Sequence, residues 1–188
     1  MNRILGHKTR QAFVVLLAMT LSSCRGSSAA VTVSAYDLVA ALPTATITAP
    51  ADHVTSRPAV LAGQQKLGIF MHPNAQAEFP PVALGKAPFL TFAIGLDDSV
   101  HDKPGDGVDF TVSVREPSGH IVELWSKYID TKKNKGDRGW HAMRVSLQKY
   151  AGQTVSIILS TSIADDGQFD GAYWGTPKLT ADGREPVR

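Results

Sequence analysis

The stretch Val108-Asp109-Phe110-Thr111-Val112-Ser113-Val114-Arg115 decides the fold class, because every even position is apolar and every odd position is polar. Side chains of a β-strand alternate between the two faces of a sheet, so this period of two predicts a strand with one face in a core and the other in water. The flanking segments, Gly105-Asp106-Gly107 and Glu116-Pro117-Ser118-Gly119-His120, have the composition of turns. The sequence therefore predicts an antiparallel sheet around this strand.

Seven further segments share this pattern of short apolar runs between clusters of Gly, Pro, Asp and Asn. No long stretch has the period of an amphipathic helix, and about 110 to 120 residues are enough to bury a core. We predict an all-β fold in which the strands form a two-sheet sandwich over residues 61–180. The eight predicted strands are Lys66–Met71, Ala77–Phe79, Phe89–Leu96, Val108–Arg115, Ile121–Ile129, Trp140–Leu147, Thr154–Ile163 and Tyr173–Leu179.

The first 23 residues have the organisation of a secretory signal peptide. A positively charged start with Arg3, Lys8 and Arg10 is followed by ten apolar residues from Ala12 to Leu21. Ten residues are too few for a helix that crosses a bilayer, which needs about 20. We therefore interpret residues 1–23 as a leader.

The chain has a single cysteine, Cys24, soon after that apolar run, which excludes an internal disulfide. The sequence Leu21-Ser22-Ser23-Cys24 resembles the lipobox of bacterial lipoproteins, and this resemblance implies that Cys24 is acylated and becomes the N-terminus. A competing interpretation is cleavage after Ser28-Ala29-Ala30, which would leave a soluble periplasmic protein. Because residue 25 is Arg and not Asp, the resemblance also implies a lipid-anchored protein of the bacterial cell envelope, at the outer membrane.

The segments 24–60 and 181–188 have little core-forming pattern. We expect 24–60 to contain the lipidated cysteine, a tether and a short docking segment, in which Tyr36–Leu42 forms one or two helical turns ended by Pro43. Residues 181–188 are expected to be a tail. Without the residues before Cys24, the chain keeps 16 of its 19 Lys and Arg against 17 Asp and Glu, so the charge does not indicate a nucleic-acid partner.

Several short motifs occur in an order that resembles the galactose-binding-like jelly rolls, and most of all the NPCBM-like modules of bacterial envelope and glycan-processing proteins. The resemblance implies a jelly-roll sandwich and glycan binding. It specifies no ligand, because one fold carries many functions. The motifs lie between about residues 64 and 180, and they are Gly105–Val112, Asp137–His141, Val145–Leu147, Tyr150–Val155 and Tyr173–Gly175.

The sequence lacks the residue patterns of common catalytic sites. Cys24 is part of the lipobox, no serine lies in a G-x-S-x-G motif, and the histidines after Cys24 include no H-x-H or H-x-x-x-H pair that would indicate zinc. Glutamate, a usual source of the paired carboxylates of glycosidases, is scarce. We therefore expect a protein that is not an enzyme and that requires no cofactor.

Four aspartates, Asp97, Asp98, Asp102 and Asp106, lie close together before the strand at Val108. Carboxylate oxygens at such density suit Ca²⁺, so a structural calcium ion is one interpretation. Their spacing does not match a D-x-[DN]-x-[DN]-G loop, and an aspartate before a glycine also forms turns by capping its own backbone. Both interpretations stay open.

Strand parity predicts that four aromatic residues, Phe70, Trp125, Trp140 and Trp174, point away from the core. A flat exposed ring can stack on a sugar, and the indole N–H can donate a hydrogen bond, so these four are the predicted ligand-binding residues. The alternative is that Tyr36–Leu42 covers them, or that a β-bulge reverses the parity.

Two function classes remain. The first is a non-enzymatic envelope lipoprotein that binds carbohydrate or another surface ligand and is held at the membrane by its lipid. The second is a structural or assembly lipoprotein whose jelly roll docks on another envelope protein. Saturable binding to glycans would favour the first class, and co-purification with an envelope complex would favour the second.

Overall fold

The structure, a computed structural model, describes residues 35–163 and 168–180. These residues contain twelve strands, one short α-helix and four 3₁₀ turns. No helix in this part of the chain is long and apolar enough to cross a membrane. The strands are β1 (Ala35–Asp37), β2 (Thr46–Thr48), β3 (Val54–Leu61), β4 (Gln64–Met71), β5 (Ala75–Glu78), β6 (Val82–Ala83), β7 (Phe89–Leu96), β8 (Val108–Arg115), β9 (Ile121–Ile129), β10 (His141–Ser146), β11 (Thr154–Ile163) and β12 (Ala172–Thr180). The helix α1 is Leu38–Ala41, and the 3₁₀ turns are Leu42–Thr44, Asp98–Val100, Lys135–Asp137 and Gln148–Tyr150.

The strands form two antiparallel sheets, each of six strands. The first sheet has the order β10-β7-β12-β4-β3, with β1 paired to β12, and the second has the order β2-β5-β11-β8-β9, with β6 paired to β11. Together they make a jelly-roll β-sandwich, so the predicted fold class is confirmed. All eight predicted strands occur, as β4, β5 and β7 to β12, and their ends differ from the predicted ones by at most two residues.

The core lies between the two sheets and is built from the inward positions of the alternating strands. The strand that opens the sequence analysis behaves as its pattern predicts: Val108, Phe110, Val112 and Val114 are all 0% exposed. The first sheet contributes a comparable set of inward side chains from β4, β7 and β12, namely Ile69, Met71, Leu90, Phe92, Ile94, Leu96, Trp174 and Leu179.

The sandwich begins earlier in the chain than residue 61, which corrects the predicted boundary for residues 35–60. Strand β3 pairs with β4 along its whole length, and Leu38 of α1 is 0% exposed and packs in the core. The carboxylate of Asp37 accepts hydrogen bonds from two backbone amides of α1 and so fixes the start of this helix. Sequence reasoning missed β3 because Ser, Arg and Pro break its apolar alternation, as is common in an edge strand.

Candidate ligand-binding face

The structure places Trp174 inside the core, so its predicted outward position is wrong. Trp174 is 0% exposed, and its ring lies 5.1 Å from Phe92 and 5.3 Å from Phe110 between ring centroids. The pairing of β12 with β7 shifts register between Gly175 and Lys178. Such a bulge breaks the alternation of side chains, so residues before and after it no longer follow one parity. The prediction for Trp174 was counted from polar residues after the bulge and therefore put Trp174 on the wrong face.

Trp125 is also turned towards the core, for the same physical reason. It pairs with the buried Val112, and the register of β9 shifts immediately before it, so that Leu124 has no partner on β8. Its ring lies 5.1 Å from Phe92 and packs against the edge of the core. Trp125 therefore belongs to the packing at the edge strand and not to an outer aromatic surface.

Phe70 and Trp140 do lie on the outer face of the first sheet, and they flank Tyr173. The ring centroids of Phe70 and Tyr173 are 5.3 Å apart, and those of Trp140 and Tyr173 are 6.4 Å apart. Tyr173 is buried beneath its neighbours, whereas Phe70 and Trp140 keep part of their surface in solvent. Two of the four predicted ligand-binding residues are thus brought together, around a tyrosine that sequence reasoning did not select.

Glycine at position 175 allows Trp140 to lie on the sheet. A Cβ atom at Gly175 would come within 2.7 Å of Cζ3 of Trp140 and 3.0 Å of Cδ of Lys66. The indole Nε1 of Trp140 donates a hydrogen bond to the carbonyl oxygen of Gln64, at 2.8 Å, which fixes the ring from the β3–β4 hairpin. The backbone therefore fixes the ring of Trp140 on the outer face of the sheet.

A chain of hydrogen bonds crosses this face beside the rings. Nε of Arg57 donates to the hydroxyl of Tyr173 at 3.0 Å, and that hydroxyl donates to Oδ2 of Asp97 at 3.3 Å. The guanidinium of Arg57 also lies over the ring of Phe70, 3.9 Å from its centroid. Burial opposes ionisation of Asp97, but hydrogen bonds from Ser99 and Tyr173 and the charge of Arg57 hold the pKa of this carboxyl below its ordinary value.

We name the outer face formed by Arg57, Lys66, Phe70, Trp140 and Tyr173 the platform. Arg57 and Tyr173 could not be selected from sequence alone. Arg57 lies in a segment without an apolar period. Tyr173 faces outward only because its neighbour Trp174 points into the core, and strand parity had predicted the reverse for Trp174. The one available signal is the motif Tyr173-Trp174-Gly175, where a small residue follows two large rings.

The four aspartates predicted to hold calcium have separate partners in the structure. Asp97 caps the turn at Ser99, Asp98 accepts from the backbone amide of Ala62, and Asp102 accepts from Arg138 at 2.8 Å. The backbone oxygen of Asp106 accepts from a tyrosine hydroxyl. In the described ranges no group of three or more His, Cys, Asp or Glu side chains could hold a metal ion.

The fold also brings together two histidines that are distant in sequence. The ring centroids of His53 and His72 are 4.7 Å apart, because the backbone amide of His72 donates to the carbonyl of His53 where β3 and β4 meet. Burial, and the nearby His53, lower the pKa of His72 below its ordinary value. Spacing rules could not find this pair, since it depends on the hairpin register.

Comparison with known proteins gives a fold and no family. No family model matches the chain. A protein of Archaeoglobus fulgidus described as uncharacterized is 36% identical over an alignment 122 residues long, and the match covers 61% of this chain and 30% of that protein. The chain thus spans less than a third of the length of this curated relative.

Three solved structures share the jelly-roll sandwich at low sequence identity. CBM51 from Clostridium perfringens GH95, in complex with methyl-galactose, has a TM-score of 0.53 and 14% identity over 78% of this chain and 99% of that one. The CBM51-2 and INT domains of Clostridium perfringens ZmpB, with GlcNAc bound to CBM51-2, give 0.52 and 19% over 79% of this chain and 32% of that one. The tandem CBM51 modules of a family 98 glycoside hydrolase from Streptococcus pneumoniae give 0.52 and 13% over 79% and 47%.

Proposed function

We propose that this chain is a non-catalytic carbohydrate-binding module and that the platform is its binding surface. The observation that carries the proposal is the meeting of Trp140 and Phe70 around the hydrogen-bonded chain of Arg57, Tyr173 and Asp97. Sugar rings present apolar C–H faces and hydroxyl edges, so a site that binds them needs flat rings next to fixed donors and acceptors.

Different residues of the platform would contact the C–H face and the hydroxyl groups of a sugar. The partly exposed ring of Trp140 supplies a surface for the C–H face of a sugar. The terminal nitrogens of Arg57, which make no hydrogen bond within the described residues, are available to donate to hydroxyl or ring oxygens. Solved structures of the same fold include complexes with GlcNAc and with methyl-galactose, which supports a carbohydrate ligand here.

The test is glycan binding by the full chain and by Trp140→Ala, measured on a glycan array and then by titration calorimetry with the best ligand. Loss of a ring that stacks on a sugar should weaken binding by about tenfold, which corresponds to about 1.4 kcal/mol. Ile121→Ala is the matched control, because Ile121 is 51% exposed on the second sheet. Thermal melts establish that both variants fold.

Equal affinity of Trp140→Ala and the parent chain would remove the platform as the binding surface. Absence of saturable binding to any glycan, together with co-purification of the chain with an envelope complex, would favour the docking function instead.

We further propose that Cys24 anchors this module to the envelope membrane through lipid. The support is the order of basic residues, apolar run and isolated cysteine; Cys24 lies outside the residues that the structure describes. Several acyl chains on one residue anchor stably, because each buried CH₂ contributes about 0.8 kcal/mol.

Replacing Cys24 by Ala should move the protein from the membrane fraction to the soluble fraction of its bacterial host. Mass spectrometry of the parent chain should show acyl mass on an N-terminal Cys24. An N-terminus at Val31 without acyl mass would instead support cleavage after Ala30.

A further inference from the structure

The strands of the first sheet carry an excess of positive charge, of which the proposed function uses only Arg57. The six strands contain one carboxylate, Asp37 at the end of β1, whose Oδ1 accepts hydrogen bonds from the backbone amides of α1. The same strands contain four Lys and Arg residues: Arg57, Lys66, Arg144 and Lys178. The strands of the second sheet, in contrast, contain three carboxylates, Glu78, Asp109 and Glu123, with only Arg115 and Lys127.

The strand register puts all four cations on the outer face of the first sheet. Arg57 pairs with Gly68, which pairs with the outward Gly175 beneath Trp140. Lys178 and Arg144 both pair with Thr91, which lies between the inward Leu90 and Phe92. Lys66 lies two positions from Gly68 and hence on the same face.

None of these four cations forms an ion pair within the described residues. The ion pairs there involve Glu78, Asp98, Asp102 and Asp130. Among them, Arg115 on the second sheet is neutralised by both carboxylate oxygens of Glu78, at 2.6 and 2.7 Å. Arg57 interacts with the charge of Asp97 across the hydroxyl of Tyr173. Apart from that interaction, the cations of the first sheet remain available to an anion from outside.

Two of the cations are held in place by aromatic rings. The guanidinium of Arg57 lies 3.9 Å from the centroid of Phe70, and that of Arg144 lies 3.6 Å from the centroid of Phe89. Nε of Arg57 donates to Tyr173, but its two terminal nitrogens make no hydrogen bond within the described residues, and that edge matches two oxygens of a carboxylate or sulfate. Stacking reduces the conformational entropy that binding would otherwise remove.

We propose that the ligand of the platform is an acidic carbohydrate, whose carboxylate or sulfate groups bind Arg57 and Lys66 while its sugar rings pack on Trp140. This inference rests on the proposed function and names the class of its ligand. Because Lys178 and Arg144 extend the same face across β12 and β10, an oligosaccharide with several anionic groups binds more tightly than a single acidic sugar.

An anionic membrane is the main competing occupant, and the distribution of apolar side chains argues against it. Surface helices and loops that bind membranes insert large apolar groups between headgroups. On the β3–β4 hairpin the exposed Val60 and Leu67 have the opposite parity from Arg57 and Lys66. Ile47, Ile121 and Tyr128 are on the second sheet, and the exposed Phe169 is a single residue in the loop before β12.

The test is titration of the full chain with an oligogalacturonate and with the same oligosaccharide after methyl esterification. The free acid should bind at least tenfold more tightly at low salt, and rising ionic strength should reduce this difference. A sulfated carrageenan oligosaccharide and its desulfated product form the second pair, which separates carboxylate from sulfate recognition.

The variants are R57Q/K66Q on the platform and K132Q/K135Q in the exposed β9–β10 loop, which remove the same charge. R57Q/K66Q should abolish the preference for the acid, and K132Q/K135Q should preserve it. Circular dichroism and thermal melts of both variants check the fold.

Equal binding of the acid and the ester, or an equal loss in the two variants, overturns the inference. If neutral glycans bind and only Trp140→Ala weakens them, the proposed function stands without the acidic ligand. If no glycan binds, the proposed function also fails. If the chain binds only vesicles of phosphatidylglycerol or only single-stranded DNA, and R57Q/K66Q abolishes that binding, then the four cations of the outer face bind that other anion and not a carbohydrate.

Discussion

Tyr173 and Trp174 are neighbours in β12, yet they serve the two faces of the first sheet in different ways. Trp174 is completely enclosed by Phe92, Phe110 and Trp125 between the sheets. Tyr173 lies beneath Phe70 and Trp140 and is linked through its hydroxyl to charged groups. The inner face is held mainly by apolar packing, with a buried hydrogen bond from Thr161 to the carbonyl oxygen of Met71, whereas the outer face combines rings with ionisable side chains. Aromatic residues on one sheet can therefore have opposite roles.

The largest difference between the two faces should appear when one ring is removed from each. Trp174→Ala should lower the free energy of unfolding by about 3 to 5 kcal/mol, because it leaves a large cavity in a closely packed core. Trp140→Ala should cost about 1 kcal/mol, since it removes one hydrogen bond and a partly exposed contact. Urea denaturation followed by circular dichroism measures both values. Similar costs for the two changes would mean that Trp140 is also a core residue.

The inner face was largely predictable from the sequence, because alternation within one strand depends only on local geometry. Val108 to Arg115 shows this most clearly, since each predicted inward residue is fully buried. The prediction failed where the alternation is interrupted. The bulge after Gly175 includes Thr176 at a φ of 43°. The sequence does not predict this conformation, because a threonine rarely adopts a positive φ. Parity counted through that bulge placed Trp174 outside.

The outer face could be predicted only in part, because it is assembled from distant segments. Phe70 and Trp140 were found as outward rings, but their meeting depends on the order of β4, β12 and β7 in the sheet. Arg57 was missed because it lies in the segment 24–60, which the sequence analysis puts before the sandwich. The difference in charge between the two sheets likewise depends on which strands share a sheet, so the net charge of the whole chain does not predict it. Local patterns therefore predicted the strands, and tertiary pairing determines the candidate site.

The two faces should also differ in their response to pH, although by less, because only the outer face of the first sheet contains the hydrogen bonds between Arg57, Tyr173 and Asp97. In the folded protein the pKa of Asp97 is below its ordinary value, since hydrogen bonds from Ser99 and Tyr173 and the charge of Arg57 outweigh the opposing effect of burial. A carboxyl with a depressed pKa stabilises the fold above its unfolded-state pKa of about 3.9, and that contribution is lost as the pH falls through the folded value.

Asp97→Asn should therefore lower the free energy of unfolding by about 0.5 to 1.5 kcal/mol at pH 7. The difference from the parent chain should narrow as the pH falls below about 4, because the parent then loses the same charge. Asn is also a good cap for the Asp98–Val100 turn, so the substitution tests the charge more than the turn itself. Urea denaturation from pH 7 to pH 3 measures the difference, with Tyr173→Phe as a second variant that leaves the Ser99 cap intact. A difference between Asp97→Asn and the parent that stays constant over this range would show that the outer face is held by its rings and not by the charge of Asp97.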